Sequence, residues 1–401
     1  MATSGAAGLL RERGTSERPT FLELFFDLVF VFALTRVSDQ AVMHVIGKLR
    51  SPVAGYSQAI LVLLALFMVW YATTAVTEIY NPQRPEIQLL VVLTMLGTLL
   101  MAVAVPHAFG NRGPVFAGAY VAIHVGRGLY LVSALRGHPA QRSAMRWLFW
   151  FGMSAIPWIV GAVVPDVAIR GALWTLAVFI DYGGVMLDAP TPRLGRQPTT
   201  ESPVVAEHLS ERYRQFFIVA LGELILVTGV TYSRKNFEAE RTVALLLSFA
   251  TIVLIWRIYI YRAGELLPVA MAAARRPDRL AKLTAFAHLL MVIGLVAIAS
   301  GDELVIANPA QRTDPTWVAV ILGGPALFLV GRAIFEFAVS ARVSVSRVIG
   351  IVLLAALSPA IVPVPPHIAT IPPALVLAGI AVADAARARR HPSIPPPAFG
   401  G

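Results

Sequence analysis

The sequence predicts an all-α membrane bundle of about twelve transmembrane helices, and three observations carry that reading. Of the 401 residues, 57% are hydrophobic and only 14% charged, where a soluble chain holds roughly 25% charged residues; the mean hydropathy is +0.70. The apolar residues fall into blocks of about 20, the length that crosses a bilayer as a helix. The blocks lack the alternation of a membrane β-barrel, and a segment in hydrocarbon must satisfy its own backbone, so helices are expected.

In order, the spans are 20–40, 57–80, 87–108, 114–135, 146–164, 168–188, 211–232, 241–262, 280–300, 316–338, 345–363 and 368–386. Residues 1–19 carry charges at Arg11, Glu12, Arg13, Glu17 and Arg18 and no cleavable pattern, which reads as a cytoplasmic lead and not a signal peptide. Residues 20–188 form a first group of six spans, 189–210 a polar cytoplasmic linker, 211–386 a second group of six, and 387–401 a Pro-rich cytoplasmic tail. Most prolines separate spans; Pro157, Pro325 and Pro359 lie inside them and predict kinks.

Charge sets the expected topology. With the N-terminus inside, the inner segments hold 21 Lys and Arg against 8 outside, so both termini are expected in the cytoplasm. The same bias accounts for the net charge of +10 without invoking nucleic acid. No cysteine is present, which excludes disulfides, thiolate metal sites and thiol catalysis. The expected localisation is the bacterial cytoplasmic membrane, with the lipid bilayer as partner.

An ordered series of internal matches predicts two parallel six-helix repeats. Val125-Gly126-Arg127-Gly128 resembles Val330-Gly331-Arg332-Ala333, Arg146 and Pro157 match Arg347 and Pro359, and Asp181 matches Asp384, at offsets of 201 to 205. Earlier, Phe25-Phe26 pairs with Phe216-Phe217 and Trp70 with Trp256, at offsets of 191 and 186. Such duplications are frequent in transporters, with the site at the repeat interface.

Ionisable residues inside spans are functional candidates, because they need partners. Glu23 and Asp27 stand four apart on one face of span 1; the blander alternative leaves Glu23 at the headgroup level. Glu223 lies about 12 residues into span 7, next to Gly222, a residue that permits close helix approach. Helix rise places Asp27, Arg127, Asp181, Arg257, Arg332 and Glu336 in the inner half of the bilayer. They suggest a polar network in which Asp27–Arg127 and Glu223–Arg332 are equivalent pairs; the alternative is a purely structural ion network. Ser210, Glu211 and Arg212 read as helix initiation at the membrane border. His208 and Glu211 have the spacing of a carboxylate-bridged metal motif, but no second copy exists. No metal, no cofactor, no nucleotide loop and no catalytic nucleophile is expected.

Two stretches resemble a known family. Arg18-Pro-Thr-Phe-Leu-Glu23-Leu-Phe-Phe26-Asp27-Leu-Val-Phe-Val-Phe-Ala33 is similar to the opening signature of the low-temperature-requirement A membrane proteins. His208-Leu-Ser-Glu211-Arg212, followed by Leu221-Gly222-Glu223, resembles their second signature. Leu224 stands where the family usually has a small or hydroxyl residue. The resemblance implies a membrane protein and marks Glu23, Phe26, Asp27, His208, Glu211, Arg212, Gly222 and Glu223; it implies no substrate or reaction.

The function expected from these residues is a proton- or ion-coupled secondary transporter, or a related permeation protein, acting on a small molecule or ion. Asp27, Glu223, Glu23 and Asp181 are the coupling candidates, and Arg127, Arg332, Arg257 and Glu336 the counter-charge or substrate-binding candidates. A membrane sensor or scaffold is the alternative, and an intramembrane enzyme a third.

Overall fold

The computed structural model describes residues 8–11, 19–46, 52–196, 203–260 and 263–390. Apart from the connecting turns they are helical, with two isolated bridges, Leu10 to Tyr80 and Thr191 to Gly195, as the sole β pairings among them. The helices are α1 (Phe21–Ile46), α2 (Pro52–Ile79), α3 (Pro85–Ala104), α4 (Gly113–Ala134), α5 (Gln141–Val163), α6 (Val167–Met186) and α7 (Pro203–Ser233). They continue as α8 (Ala239–Ile260), α9 (Ala263–Ala273), α10 (Pro277–Ala307), α11 (Pro315–Ser340), α12 (Val345–Ile361), α13 (Pro366–Ala369) and α14 (Ile371–Arg390).

Nine helical stretches among the described residues are long and apolar enough to cross a membrane. Expected spans 1, 6 and 11 coincide with α1, α6 and α12, which stand outside that set. Glu23, Asp27, Arg36 and Asp39 weight α1, Arg170 and Asp181 lie in α6, and α12 has 17 residues. The outward face of α3 shows why lipid is the solvent. Leu89, Leu93, Leu96 and Leu100 are exposed at helical spacing, while Ile87, Leu90, Val91 and Thr94 are buried. A continuous exposed apolar stripe of this kind is disfavoured in water and ordinary in a bilayer.

Two boundaries differ from the sequence reading. Helix α7 begins at Pro203 and not near 211; a proline is favoured in the first turn, where its missing N–H leaves no bond unmade. Ser210, Glu211 and Arg212 are therefore in the interior of a helix and do not start one. The loop after α8 also folds a short helix, α9, which buries Leu267, Ala270 and Met271. Pro157, Pro325 and Pro359 sit inside α5, α11 and α12.

The chain forms two compact units, one of Met1–Gln40 with Val53–Arg212 and one of Ala41–Pro52 with Tyr213–Gly401. In the first, an aromatic cluster from α4, α5 and α6 joins Phe116, Tyr120, Trp158 and Trp174, with ring centroids 4.7–6.0 Å apart. Arg170 on α6 organises the surrounding loops. Its guanidinium donates to the carbonyls of Gly161, Ala162 and Val164 at the C-terminal end of α5, and to those of Ala108 and Gly110 after α3. Those are the acceptors a helix end leaves without an internal partner.

In the second unit, α10 is buried along most of its length and packs on α11 through glycines. A Cβ at Gly294 would stand 2.6 Å from the Phe328 nitrogen, and one at Gly331 would stand 2.7 Å from the Ala287 carbonyl oxygen. Only glycine allows the two backbones so close, the small-residue packing common in membrane helices. Gly222 has no such role. A Cβ there would meet nothing within 4 Å, which corrects the expectation of close approach at that position.

Candidate functional site

The spacing of four between Glu23 and Asp27 on α1 recurs between His208 and Arg212 on α7, and the structure joins the two pairs. Arg212 makes a two-pronged bond to Asp27, Nη1 to Oδ2 at 2.8 Å and Nη2 to Oδ1 at 2.9 Å. One turn earlier, His208 Nε2 stands 3.0 Å from Glu23 Oε1. The order along both helices is the same, so α1 and α7 run parallel here and present matching rungs. All four residues are at most 1% exposed.

Each rung is anchored differently. Asp27 also accepts from the Trp70 indole N–H of α2 at 2.9 Å, and the Arg212 guanidinium lies 5.8 Å from the Trp70 ring. Arg212 Nη1 further donates to the Glu23 backbone carbonyl at 3.2 Å. Such additional hydrogen bonds offset part of the cost of burying a charge pair. Glu23 caps its own helix, accepting at Oε2 from the Thr20 backbone N–H at 2.8 Å and from the Thr20 hydroxyl at 2.9 Å, the side-chain half of a capping box. The His208–Glu23 contact is close but off the direction of a hydrogen bond, and His208 Nδ1 has no hydrogen-bond partner among the described residues. The Asp27 rung is locked and the Glu23 rung is loose.

The other expected site residues of the first unit, Arg127 and Asp181, bond to groups outside this ladder. Arg127 does not pair with Asp27; it donates to the Thr73 hydroxyl at 3.1 Å and to His124 Nδ1 at 2.9 Å. Asp181 accepts from the Tyr120 hydroxyl at 2.7 Å and, more weakly, from the Trp158 indole at 3.4 Å. In the second unit, Glu223 is fully buried, and Arg332 is buried with its Nε donating to the Ile258 carbonyl at 3.3 Å. Arg257 is exposed in the last turn of α8, outside any buried network. A cation there complements the negative end of the helix dipole, which is reason enough for its position.

Glu336 belongs to a second ionic cluster. Its carboxylate accepts from the Ser344 hydroxyl at 2.5 Å and lies 3.2 Å from Arg347 Nε. Arg347, fully buried, also makes a two-pronged bond to Asp384, at 3.2 and 2.9 Å. The sequence marked Arg347 and Asp384 solely as repeat matches and missed the pair. It also missed Arg212 as the partner of Asp27, although the equal spacing of four in the two signatures was a usable signal.

Repeat-matched positions do different work. Trp70 is fully buried on Asp27, whereas Trp256 is 44% exposed. Arg146 donates to the carbonyls of Leu194 and Gly195, whereas its match Arg347 pairs with carboxylates. Among the described residues no group of three or more His, Asp or Glu is arranged to hold a metal ion.

The ladder is built from the two stretches that resemble one family, and comparison with known proteins bears on the same residues. The model of the bacterial low temperature requirement A protein (LtrA) family matches residues 18–382. An uncharacterized protein of Rhizobium meliloti (strain 1021), RA0937, is 34% identical over 360 residues, covering 89% of this chain and 86% of that protein. No solved structure matches the chain. With the apolar helices and both signatures inside the matched region, the chain is a multi-pass membrane protein that belongs to the LtrA family.

Proposed function

We propose that this protein is a proton-coupled secondary transporter of the bacterial cytoplasmic membrane, in which the Glu23–His208 rung carries the proton. The chain then crosses twelve times as two parallel six-helix repeats, with both termini in the cytoplasm. One observation carries the reading: a buried histidine contacts a buried carboxylate without a committed hydrogen bond, next to a rung joined by a two-pronged hydrogen bond. Histidine changes charge near neutral pH more readily than any other side chain. Beside this contact, Asp27 and Arg212 hold α1 against α7. Glu223 and Asp181 are the further carboxyls on which a proton could rest, both buried.

The test is electrophysiology on a solid-supported membrane with the purified protein in liposomes. Sodium, potassium and small organic ions would be offered from about pH 5 to about pH 8, the range over which histidine titrates. Currents that depend on the pH gradient, lost in His208→Phe while the variant remains folded, support the transporter. A folded wild-type protein without current under any condition supports the sensor or scaffold reading, in which the ladder is structural.

A further inference from the structure

Arg127 in α4 is a buried cation, 7% exposed, with no carboxylate partner among the described residues. Its two hydrogen bonds go to the Thr73 hydroxyl and to His124 Nδ1. Three of its five N–H groups therefore have no acceptor among those residues. A guanidinium can only donate, so His124 Nδ1 accepts and the imidazole proton sits on Nε2. That Nε2–H is itself buried and has no partner. The imidazole cannot simply turn away, because it stacks on Phe151 at 4.0 Å and lies 4.5 Å from the Tyr120 ring.

His124 and Arg127 line one cavity of about 70 Å³, with Tyr71, Trp147 and Phe151 among its walls. Asp181, bonded to the Tyr120 hydroxyl, is not part of the lining. The helix is distorted at this point: Ala122–Gly126 forms a π turn that carries His124 and ends against Arg127. Such turns recur at functional sites, since they cost hydrogen-bond geometry that a plain helix keeps.

An uncompensated buried cation is expensive, and a buried donor without an acceptor adds to the cost. An anion that accepts from the guanidinium relieves the first of these. We propose that this cavity binds a small carboxylate, held by the guanidinium of Arg127, with its methyl or methylene against the aromatic walls. The volume holds on the order of two waters, close to what acetate displaces. The proposal is independent of proton coupling through Glu23 and His208, neither of which lines the cavity; binding without transport leaves it standing.

The experiment is a titration of the full-length protein in detergent micelles with sodium acetate, read by tryptophan fluorescence and by the shift in melting temperature. Acetamide, the neutral shape-mimic, and sodium chloride at equal ionic strength are the controls. Acetate is expected to give a saturable signal and an upward thermal shift that grows with its concentration, and both controls are not. Arg127→Met removes the buried charge and should melt no lower than wild type without acetate, while its acetate affinity falls by at least about tenfold, the scale of a charge-assisted bond. Arg127→Gln, which removes the charge and keeps a donor toward Thr73, carries the same test should Arg127→Met not fold; its affinity should fall likewise. An equal response to acetamide or chloride, no saturable response to acetate, or unchanged affinity in either folded variant overturns the proposal.

Discussion

Arg212 grips Asp27 with both prongs of its guanidinium, at 2.8 and 2.9 Å, and neither residue is more than 1% exposed. The consequence is an asymmetry between breaking the pair and replacing it. Asp27→Asn leaves Arg212 buried beside a neutral amide and should cost about 3–5 kcal/mol, the scale for removing one partner of a buried ion pair. Joint replacement by apolar residues of similar size, Asp27→Leu with Arg212→Met, should recover most of that loss, because no charge then remains buried. Thermal melts of the purified variants decide it, and strictly additive losses in the double variant would refute the pairing.

Arg170 acts as a shared cap for α5 and for the turn after α3, donating to five carbonyls. Lysine keeps the charge but not the planar fork, and so cannot reach acceptors on both elements. Arg170→Lys is therefore expected to destabilise by about 1–3 kcal/mol, the cost of leaving buried acceptors unmet. Hydrogen exchange should locate the added opening at residues 105–112 and 161–166. Exchange that increases elsewhere instead would refute the cap.

Glycines of similar appearance should respond oppositely. Gly331→Leu forces α10 and α11 apart, since even a Cβ would stand 2.7 Å from a backbone oxygen; overpacking of this sort costs typically 1–3 kcal/mol, or more where backbone must move. Gly222→Ala meets open space and should be neutral or gain up to about 1 kcal/mol from helix propensity. Melting temperatures of the two variants would separate by sign.

Asp314 caps α11, accepting at Oδ1 from the Thr316 hydroxyl at 2.6 Å and from its backbone N–H at 2.8 Å. Those bonds hold its carboxyl below the ordinary range for aspartate. A carboxyl depressed by folding stabilises the fold above its unfolded pKa, near 3.9, and loses that contribution as the pH falls through the depressed value. Asp314→Ala should therefore cost about 1 kcal/mol at neutral pH, and the difference from wild type should shrink below about pH 4. A gap that stays the same in acid would show that the side chain contributes by something other than its charge.

Much of this protein was legible in one dimension. Apolar blocks of membrane length separated by prolines declare helices in lipid, because hydrocarbon leaves the backbone no other way to satisfy itself. The carboxylates of the ladder were legible as well, since a carboxylate inside an apolar span needs a partner wherever it lies. The partner itself was not. Arg212 read as a border residue because its helix was expected to begin at about 211, and only the extension back to Pro203 brings it level with Asp27. Arg127 looked suited to Asp27 by depth, yet depth fixes one coordinate and leaves rotation about the helix axis and the neighbouring helix undetermined. In α4 a π turn just before Arg127 also resets the face it presents. Sequence spacing determines which residues share a face, and tertiary packing decides which faces meet, because contact depends on the relative rotation, tilt and neighbours of whole helices.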